Sequence, residues 1–387
     1  MNRRNFLTLT GTFAGGMLVL PSFLHAFGTQ DNLIIGEQCL VFIQLNGGND
    51  GLNTFIPYED PLYYDFRTKI ALNKDAVVGK NKGVAFHPAL KDFAQMQQNG
   101  DLTVIQNVGY PEPVRSHFRS QEIWQTAADS NKYINEGWLG RYLDLQCNDH
   151  QPTAGINLDS IDNLALKGME PNTITVKDPD RFKVKSNKEN EKLSDNPQLD
   201  FVRKIANSVV EGSDDIQNAL KQSKTEISYP KTGLSKNLEW IARLVKGNLN
   251  SKVYHTSLGG FDTHDYQLSI HERKLTELND ALFSFYNDLK QAQLLQNVTI
   301  VVFSEFGRRV KDNGSGTDHG TAAPMFVIGG NNKGTILGNN PNLADLDNGD
   351  LKHQIDFRSV YASLLQQKMG FDYSKIGVKN NPVSGLF

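Results

Sequence analysis

Apolar runs alternate with segments of helical hydrophobic spacing along most of this chain. The strongest run, at 298–303, contains six consecutive residues with strand-forming side chains and ends directly before Ser304-Glu305. Uninterrupted runs of this length are typical of strands buried on both faces. Predicted strands occupy residues 39–45, 102–105, 253–257, 298–303 and 325–328.

Amphipathic segments lie between these runs. Residues 266–293 carry Leu275, Leu278, Leu282, Phe285 and Leu289 on one helical face. Strands alternating with helices predict an α/β fold, with a mostly parallel sheet sandwiched by helices. Further predicted helices occupy residues 88–98, 116–128, 198–222, 235–249 and 357–368.

The pattern changes between about residues 165 and 235. Residues 183–196 are almost wholly polar and are flanked by amphipathic segments. This composition indicates a polar insertion, subdomain or lid within one α/β domain spanning 28–387.

The first 27 residues indicate export. Arg3-Arg4 precede Phe6-Leu7 and a mildly apolar stretch, as in a twin-arginine signal. The sequence thus predicts a periplasmic or otherwise exported protein that meets the twin-arginine translocase. No other segment is long and apolar enough to predict a membrane span in the mature protein.

Composition removes several other classes of protein. The 387 residues carry a net charge of −3, whereas a nucleic-acid binder usually shows a basic excess. A hydrophobic share of 39% argues against disorder. Cys39 and Cys147 are too few for a disulfide scaffold or a four-thiolate zinc site. One disulfide is possible, but two free buried thiols are the simpler expectation.

Acidic residues and histidines follow the predicted strands. The carboxyl ends of parallel strands form one edge of a sheet, where ligands bind. Carboxylates and imidazoles at this edge predict one or two divalent ions, such as zinc or manganese. A pair of ions would suit displacement at phosphorus or sulfur. The candidate ligands are Asp50, Asp262, His264, Glu305, Asp318 and His319.

A hydroxyl group and basic side chains complete the candidate site. Ser116 begins a predicted helix, where the dipole and free amides favour an alkoxide and an anionic substrate; an N-cap is the alternative. His117 follows as ligand, base or spectator. Arg308, Arg115 and Arg119 could bind an anion, although Arg308 could instead pair with a site carboxylate.

Three other histidines are expected outside the site: His271 on the surface, and His87 and His353 in local capping or ion pairing.

These motifs together resemble the domain-of-unknown-function 1501 family, which is similar in fold to alkaline phosphatases and sulfatases. The resemblance rests on the twin-arginine start and on five motifs, which are Gly47-Gly48-Asn49-Asp50-Gly51-Leu52-Asn53, Arg115-Ser116-His117-Phe118, Gly260-Phe261-Asp262-Thr263-His264, Ser304-Glu305-Phe306-Gly307-Arg308 and Asp318-His319-Gly320.

The resemblance implies roles for individual residues. Asp50 matches the first metal aspartate and Ser116 the nucleophile, while Asp262 and His264 match an Asp/His metal pair. Glu305 takes the place of an acidic ligand and His319 that of the final histidine. The superfamily's Asp-His dipeptide is Glu305-Phe306 here, so one imidazole is missing unless Asp318 or His117 replaces it.

Three functions follow from these observations. The first is an exported metal-dependent hydrolase of an anionic phosphate or sulfate ester, either a small molecule or a glycan. The second is a catalytically degenerate binding or structural protein of the cell envelope. The third is a metal-free serine hydrolase using Ser116, His319 and either Asp318 or Asp262. The last lacks the Gly-x-Ser-x-Gly motif around its serine. If the metal hypothesis holds, an oxygen of Glu305 should lie within about 5 Å of Asp50.

Overall fold

A computed structural model describes residues 37–147, 151–184 and 195–387. The proposed export signal and most of the polar run at 183–196 lie outside the described residues. Within the described ranges, none of the helices combines the length and apolar character needed to cross a bilayer.

The strands form one large sheet and two small ones. The order in the large sheet is β11-β5-β10-β9-β1-β8-β6-β7, and β14 also pairs with β5. The strands are β1 Cys39–Asn46, β2 Phe55–Ile56, β3 Val78–Asn81, β4 Val84–Phe86, β5 Leu102–Gly109, β6 Gly155–Asn157, β7 Thr173–Thr175, β8 Val253–Gly259, β9 Val298–Phe303, β10 Ala323–Gly329, β11 Ile336–Leu337, β12 Leu346–Asp347, β13 Asp350–Leu351 and β14 Ile355–Asp356.

The six predicted helices are present close to their predicted positions, whereas the helices Gly51–Thr54, Pro61–Phe66 and Trp138–Gln146 were not predicted. They are α1 Gly51–Thr54, α2 Pro61–Phe66, α3 Lys91–Gln98, α4 His117–Thr126, α5 Trp138–Gln146, α6 Pro197–Gln222, α7 Gly233–Lys246, α8 Gln267–Gln291 and α9 Phe357–Ser363. Two predicted helices are less regular than expected. A 3₁₀ turn occupies Pro88–Leu90 before α3, and α9 continues as a π-helical turn over Leu364–Lys368.

The central strands confirm the predicted parallel sheet. β1 lies between β8 and β9 and pairs with both in parallel, with Leu40 opposite Val253 and Thr299. The strand predicted at 325–328 is present as β10, but it runs antiparallel to both β9 and β5, so the mostly parallel sheet is mixed. The loop after β9 therefore returns along the same edge of the sheet to enter β10.

Alternating residues of β1 enter two cores. Val41, Ile43 and Leu45 lie in the core formed with α3, α7 and α8. Leu40 and Phe42 lie in the core formed with α4, α5 and α9. Both faces of the sheet are thus covered by helices, which explains why its strands are apolar without alternation.

The segment at 165–235 contributes to this same domain. Its strand β7 pairs with β6 at the end of the sheet. Ile216, Ala219 and Leu220 of α6 belong to the core on the α8 side. The function of this segment as a lid or subdomain stays a prediction. Cys39 and Cys147 are both free thiols, and Cys39 is buried.

His271 is buried, so the expected surface position is wrong. It is only 1% exposed, and its Nε2 lies 2.9 Å from Asn49 Oδ1, because α8 packs this face against the β1–α1 turn. His87 packs edge-on against it at 5.8 Å and accepts a hydrogen bond from the Ala89 amide, which confirms its capping role. Burial lowers the pKa of His271 to about 4 and that of His87 to about 3.

These two histidines predict a loss of stability in mild acid. Unfolded histidine takes a proton near pH 6.5, whereas folded His271 stays neutral down to about pH 4. The free energy of unfolding therefore falls as the pH drops between these values, by at most about 1.4 kcal/mol per unit for each group. His271→Gln, which keeps a hydrogen-bond donor for Asn49, should show a shallower fall. Urea denaturation at pH 7.5 and pH 5 measures the slope, and equal slopes would contradict the prediction.

Candidate functional site

The β1–α1 turn lies against the exits of β8 and β9. Gly47 has φ +117°, and a Cβ there would lie 2.4 Å from the Asp262 amide nitrogen. Gly48 has φ +70°, and a Cβ there would meet the Phe306 ring at 2.3 Å. Glycine is required at both positions because a side chain would separate the strand exits.

Asp262 is the centre of the site. Its Oδ1 lies 2.9 Å from His264 Nε2 and 3.1 Å from His319 Nε2, and the two imidazole nitrogens are 3.1 Å apart. His117 Nε2 lies 3.5 Å from the same oxygen. Three imidazoles from α4, the β8 exit and the β9–β10 loop thus face one carboxylate oxygen.

Each of these imidazoles is oriented through its other nitrogen. His117 Nδ1 lies 2.8 Å from Glu305 Oε1, and His264 Nδ1 lies 3.0 Å from Asp318 Oδ1. His319 Nδ1 lies 2.8 Å from the Arg115 carbonyl oxygen. In the tautomers that donate the Nδ1 protons to these acceptors, all three Nε2 atoms would present lone pairs to an ion beside Asp262, as histidine ligands do in metal sites.

His117 Nε2 has no hydrogen-bond partner, although the atom is buried. An unpartnered buried nitrogen usually indicates a missing ligand or ion. Within the part of the chain that the structure describes, His117, Asp262 and His319 are one group whose donor atoms all lie within 4.8 Å of one another. Imidazole nitrogens and a carboxylate are the donors that zinc and similar ions bind.

The charged groups around Asp262 shift its pKa and that of His117. Partial burial raises the pKa of Asp262, but the hydrogen bond from Arg308 and the nearby imidazoles outweigh it and lower the pKa below its usual value. The hydrogen bond to Glu305 raises the pKa of His117. Arg308 is buried and donates from Nη1 to Asp262 Oδ1 at 2.9 Å. It therefore pairs with a site carboxylate, the alternative that the sequence left open.

Asp50 lies apart from this group in its contacts. It is fully buried and forms an ion pair with Arg67, whose Nη1 donates to Oδ2 at 2.6 Å. Gln267 Nε2 donates to the same oxygen. Burial raises the pKa of Asp50, but Arg67 lowers it further, leaving it below its usual value. Both carboxylate oxygens of Asp50 thus have protein partners, since the Asn53 amide donates to Oδ1 at 3.3 Å, and no imidazole of the described residues hydrogen-bonds to it. A ligand role for Asp50 stays a prediction.

Glu305 has different partners from Asp50. It is buried and accepts hydrogen bonds from the Gly47 amide at 2.9 Å and from Ser304 Oγ at 3.1 Å, besides its contact with His117. Among the ion pairs of the described residues, none joins Glu305 to Arg308. The structure thus places Glu305 and Asp318 behind the imidazoles, whereas the sequence analysis expected both as direct ligands.

Arg115 and Arg119 form ion pairs outside the site, whereas the Ser116 side chain makes no capping hydrogen bond. Arg115 pairs with buried Asp350, and Arg119 pairs with Glu122 at 2.7 Å. Ser116 is the exposed N-cap of α4, but its side chain makes no capping hydrogen bond. Its hydroxyl is free at the start of the helix whose first residue is His117.

Sequence reasoning missed the buried polar residues that support the site. Gln267 links Asp50 to the loop before β10, because its Oε1 accepts from Thr317 Oγ1 at 2.6 Å. Arg308 Nε in turn donates to Thr317 Oγ1 at 3.3 Å. Arg67 and Gln267 follow no motif, so only their burial identifies them.

The family described as "Protein of unknown function (DUF1501)" matches residues 102–381. The chain belongs to the DUF1501 family. No curated protein matches the chain significantly.

Solved structures show distant similarity to this DUF1501 chain. The C-terminal periplasmic domain of EptC from Escherichia coli, in complex with Zn, is 12% identical with a TM-score of 0.39. The similarity covers 76% of this chain and 73% of the EptC domain's chain. The lipoteichoic acid synthase LtaP from Listeria monocytogenes is 10% identical, with a TM-score of 0.36 and coverages of 89% and 77%. Murine ectonucleotide pyrophosphatase/phosphodiesterase 5, in complex with AMP, is 10% identical, with a TM-score of 0.38 and coverages of 90% and 97%.

A substitution at Asp50 distinguishes a structural role from metal binding. Asp50→Asn leaves the Arg67 guanidinium buried without its counter-charge, so this DUF1501 protein should lose about 3–5 kcal/mol of stability. Asp129→Asn, which removes an exposed partner of Lys132, should cost at most about 1 kcal/mol. Both are measured by urea denaturation with a chelator present. Unchanged stability together with lost metal binding would instead restore Asp50 as a ligand.

The acceptor behind His264 should control metal affinity. Asp318→Ala removes the acceptor of His264 Nδ1, so the dissociation constant for zinc should rise about 10–100-fold. Asp265→Ala is the matched control, because it removes the same charge from an exposed residue next to His264. Competition with a fluorescent zinc chelator measures both. Equal effects of the two variants would show that only the net charge matters.

Proposed function

We propose that this chain is an exported metal-dependent hydrolase of a phosphate or sulfate ester. The ion is held by His117, Asp262 and His319, whose donor atoms all lie within 4.8 Å of one another, and His264 Nε2 is a further donor beside Asp262 and His319. This set differs from the one expected by resemblance. The carrying observation is the convergence of three Nε2 atoms on Asp262 Oδ1, at 2.9, 3.1 and 3.5 Å. Donor atoms that share one ion at about 2.0–2.2 Å lie about 3–4 Å apart, so these separations suit a single site.

A divalent ion held there supplies Lewis-acid polarisation of the ester group. The chain's own residues prepare the site for it. Arg308 keeps Asp262 ionised and fixes its orientation, since its buried guanidinium is also held by Thr317. Glu305 and Asp318 orient His117 and His264 through their Nδ1 atoms.

Ser116 is the proposed nucleophile. Its hydroxyl makes no capping hydrogen bond and lies at the N-terminus of α4. There the helix dipole and the free backbone amides favour an anionic oxygen and an anionic substrate. His117 is adjacent in sequence, so attack from Ser116 would occur beside the ligand group. This placement supports two successive displacements at phosphorus or sulfur. In the first, Ser116 Oγ loses its proton and bonds to the central atom, while the bond to the alcohol oxygen breaks and the alcohol leaves with a proton. In the second, water attacks the same atom, the bond to Ser116 breaks, and phosphate or sulfate leaves as the serine regains its proton.

Export by the twin-arginine route to the periplasm or beyond remains part of the proposal. The adjacent arginines Arg3 and Arg4 near the start of the chain support it. Because this route carries folded proteins, the ion would be loaded before translocation. The expected substrate is an anionic small molecule or glycan, and the translocase is the expected partner during export.

A metal-binding protein without hydrolytic activity is the second candidate. The buried Asp50–Arg67 pair favours it, because Asp50 is the residue that resemblance assigns to the first metal. A site with one ion would lack the paired-ion clamp on the two oxygens of a displacement. Turnover therefore decides between the two candidates.

Metal content and turnover together test the proposal. Full-length protein should contain one zinc or manganese ion per chain, and His319→Ala should lose it. The wild type should hydrolyse 4-nitrophenyl phosphate or sulfate, and Ser116→Ala should lower kcat at least about 100-fold while keeping the ion. Ser284→Ala, which removes a hydroxyl that bonds only within α8 to the Asp280 carbonyl oxygen, is the matched control.

The contrary results are specific. Bound metal without turnover would support the binding protein. Protein that neither contains nor binds metal would overturn the proposal. Full activity in a strong chelator would instead favour the metal-free serine hydrolase.

A further inference from the structure

We propose that a cavity beside the ion site takes the uncharged, ring-sized organic group of the ester. This inference deepens the proposed function and rests on it. The cavity has a volume of about 300 Å³, which lies at the lower end for small-molecule sites. That size suits a single ring and its substituents.

The topology of the sheet creates this space. Gly109 ends β5 and Tyr110 follows it, while Glu305 and Phe306 come after β9; all four residues line the cavity. β10 lies between these strands but runs antiparallel to both, so it begins at this edge. No strand exit fills the gap above β10, and the cavity occupies it.

Tyr110, Trp124 and Phe306 give the cavity part of its lining, and neighbouring side chains hold the first two in place. Trp124 is buried and stacked between Phe303, at 5.3 Å, and Phe357, at 4.3 Å. Tyr110 is also buried and is held through its hydroxyl by Ser120 Oγ at 2.8 Å. Fixed aromatic surfaces favour a flat apolar group, because binding then requires little ordering of the protein.

The cavity adjoins the ion site through two residues. Glu305 lines the cavity and also contacts His117 Nδ1 at 2.8 Å. Phe306 lines the cavity, and the His117 ring packs against it at 4.8 Å with an interplanar angle of 32°. A substrate can therefore place its anionic group at the ion site and its organic group in the cavity.

The charges of the lining exclude a second anionic group. Glu112 and Asp347 line the cavity and are exposed carboxylates. Lys352 is a lining cation, and its ammonium is paired with Asp345. The net negative lining repels an anion, so the organic group should carry no carboxylate.

Binding of 4-fluorophenol tests the cavity without requiring hydrolysis. In the full-length protein, titration should shift the indole N–H resonance of Trp124, which is identified by its loss in Trp124→Phe. The resonance of Trp240, on the other face of the sheet, should not move. Ala322→Leu, which fills the cavity from its wall, should weaken binding at least tenfold. A Trp124 resonance that does not respond would overturn the inference even if Ala322→Leu failed to fold.

A charged analogue tests the lining. Binding of 4-hydroxybenzoate should be at least tenfold weaker than that of 4-fluorophenol, and Glu112→Gln combined with Asp347→Asn should reduce the difference. Equal binding of the two probes to the wild type would contradict the charge argument.

Failure of the proposed hydrolase is seen separately, as binding of 4-fluorophenol without turnover of any ester. If turnover occurs, Ala322→Leu should raise KM for phenyl phosphate and leave methyl phosphate unchanged.

Discussion

The parallel pairing of β1 with β8 and β9 sets the position of the whole candidate site. The pairing ends with Asn46 opposite Gly259 in β8 and with Gln44 opposite Phe303 in β9, so the three strands end within two residues of one another. The turn after β1 must then pass between the loops that follow its neighbours. Gly47 and Gly48 allow that approach, since a Cβ at either would overlap the Asp262 backbone or the Phe306 ring.

Histidines from three separate segments meet in the space that this register leaves. Their Nδ1 atoms face Glu305, Asp318 and a backbone carbonyl oxygen, so their Nε2 atoms share one direction. Carboxylates that were expected to bind an ion thereby orient the groups that do so in our proposal. The aromatic cavity follows from the same edge, because antiparallel β10 begins where β5 and β9 end.

Sequence patterns located the strands and helices well. β9 occupies the predicted residues 298–303, and α8 at Gln267–Gln291 lies within the predicted 266–293. Hydrophobic periodicity reports burial, and burial is what places these elements. Strand direction is not encoded in a short apolar run, which is why the antiparallel course of β10 was not foreseen. His271 lies on the buried face of α8, but a polar residue there gave no apolar signal.

The sequence by itself determined the α/β class, the edge of the sheet that carries the polar groups, and the residue types delivered there. Tertiary structure decided which of those groups lie within a few ångströms of one another around Asp262. Asp50 and Asp262 both follow parallel strands and both pair with a buried arginine, Arg67 or Arg308, yet Asp262 also faces three imidazoles. The difference arises because ion pairs and ligand groups depend on distances of a few ångströms between residues far apart in the chain. Spacing along the sequence does not specify those distances.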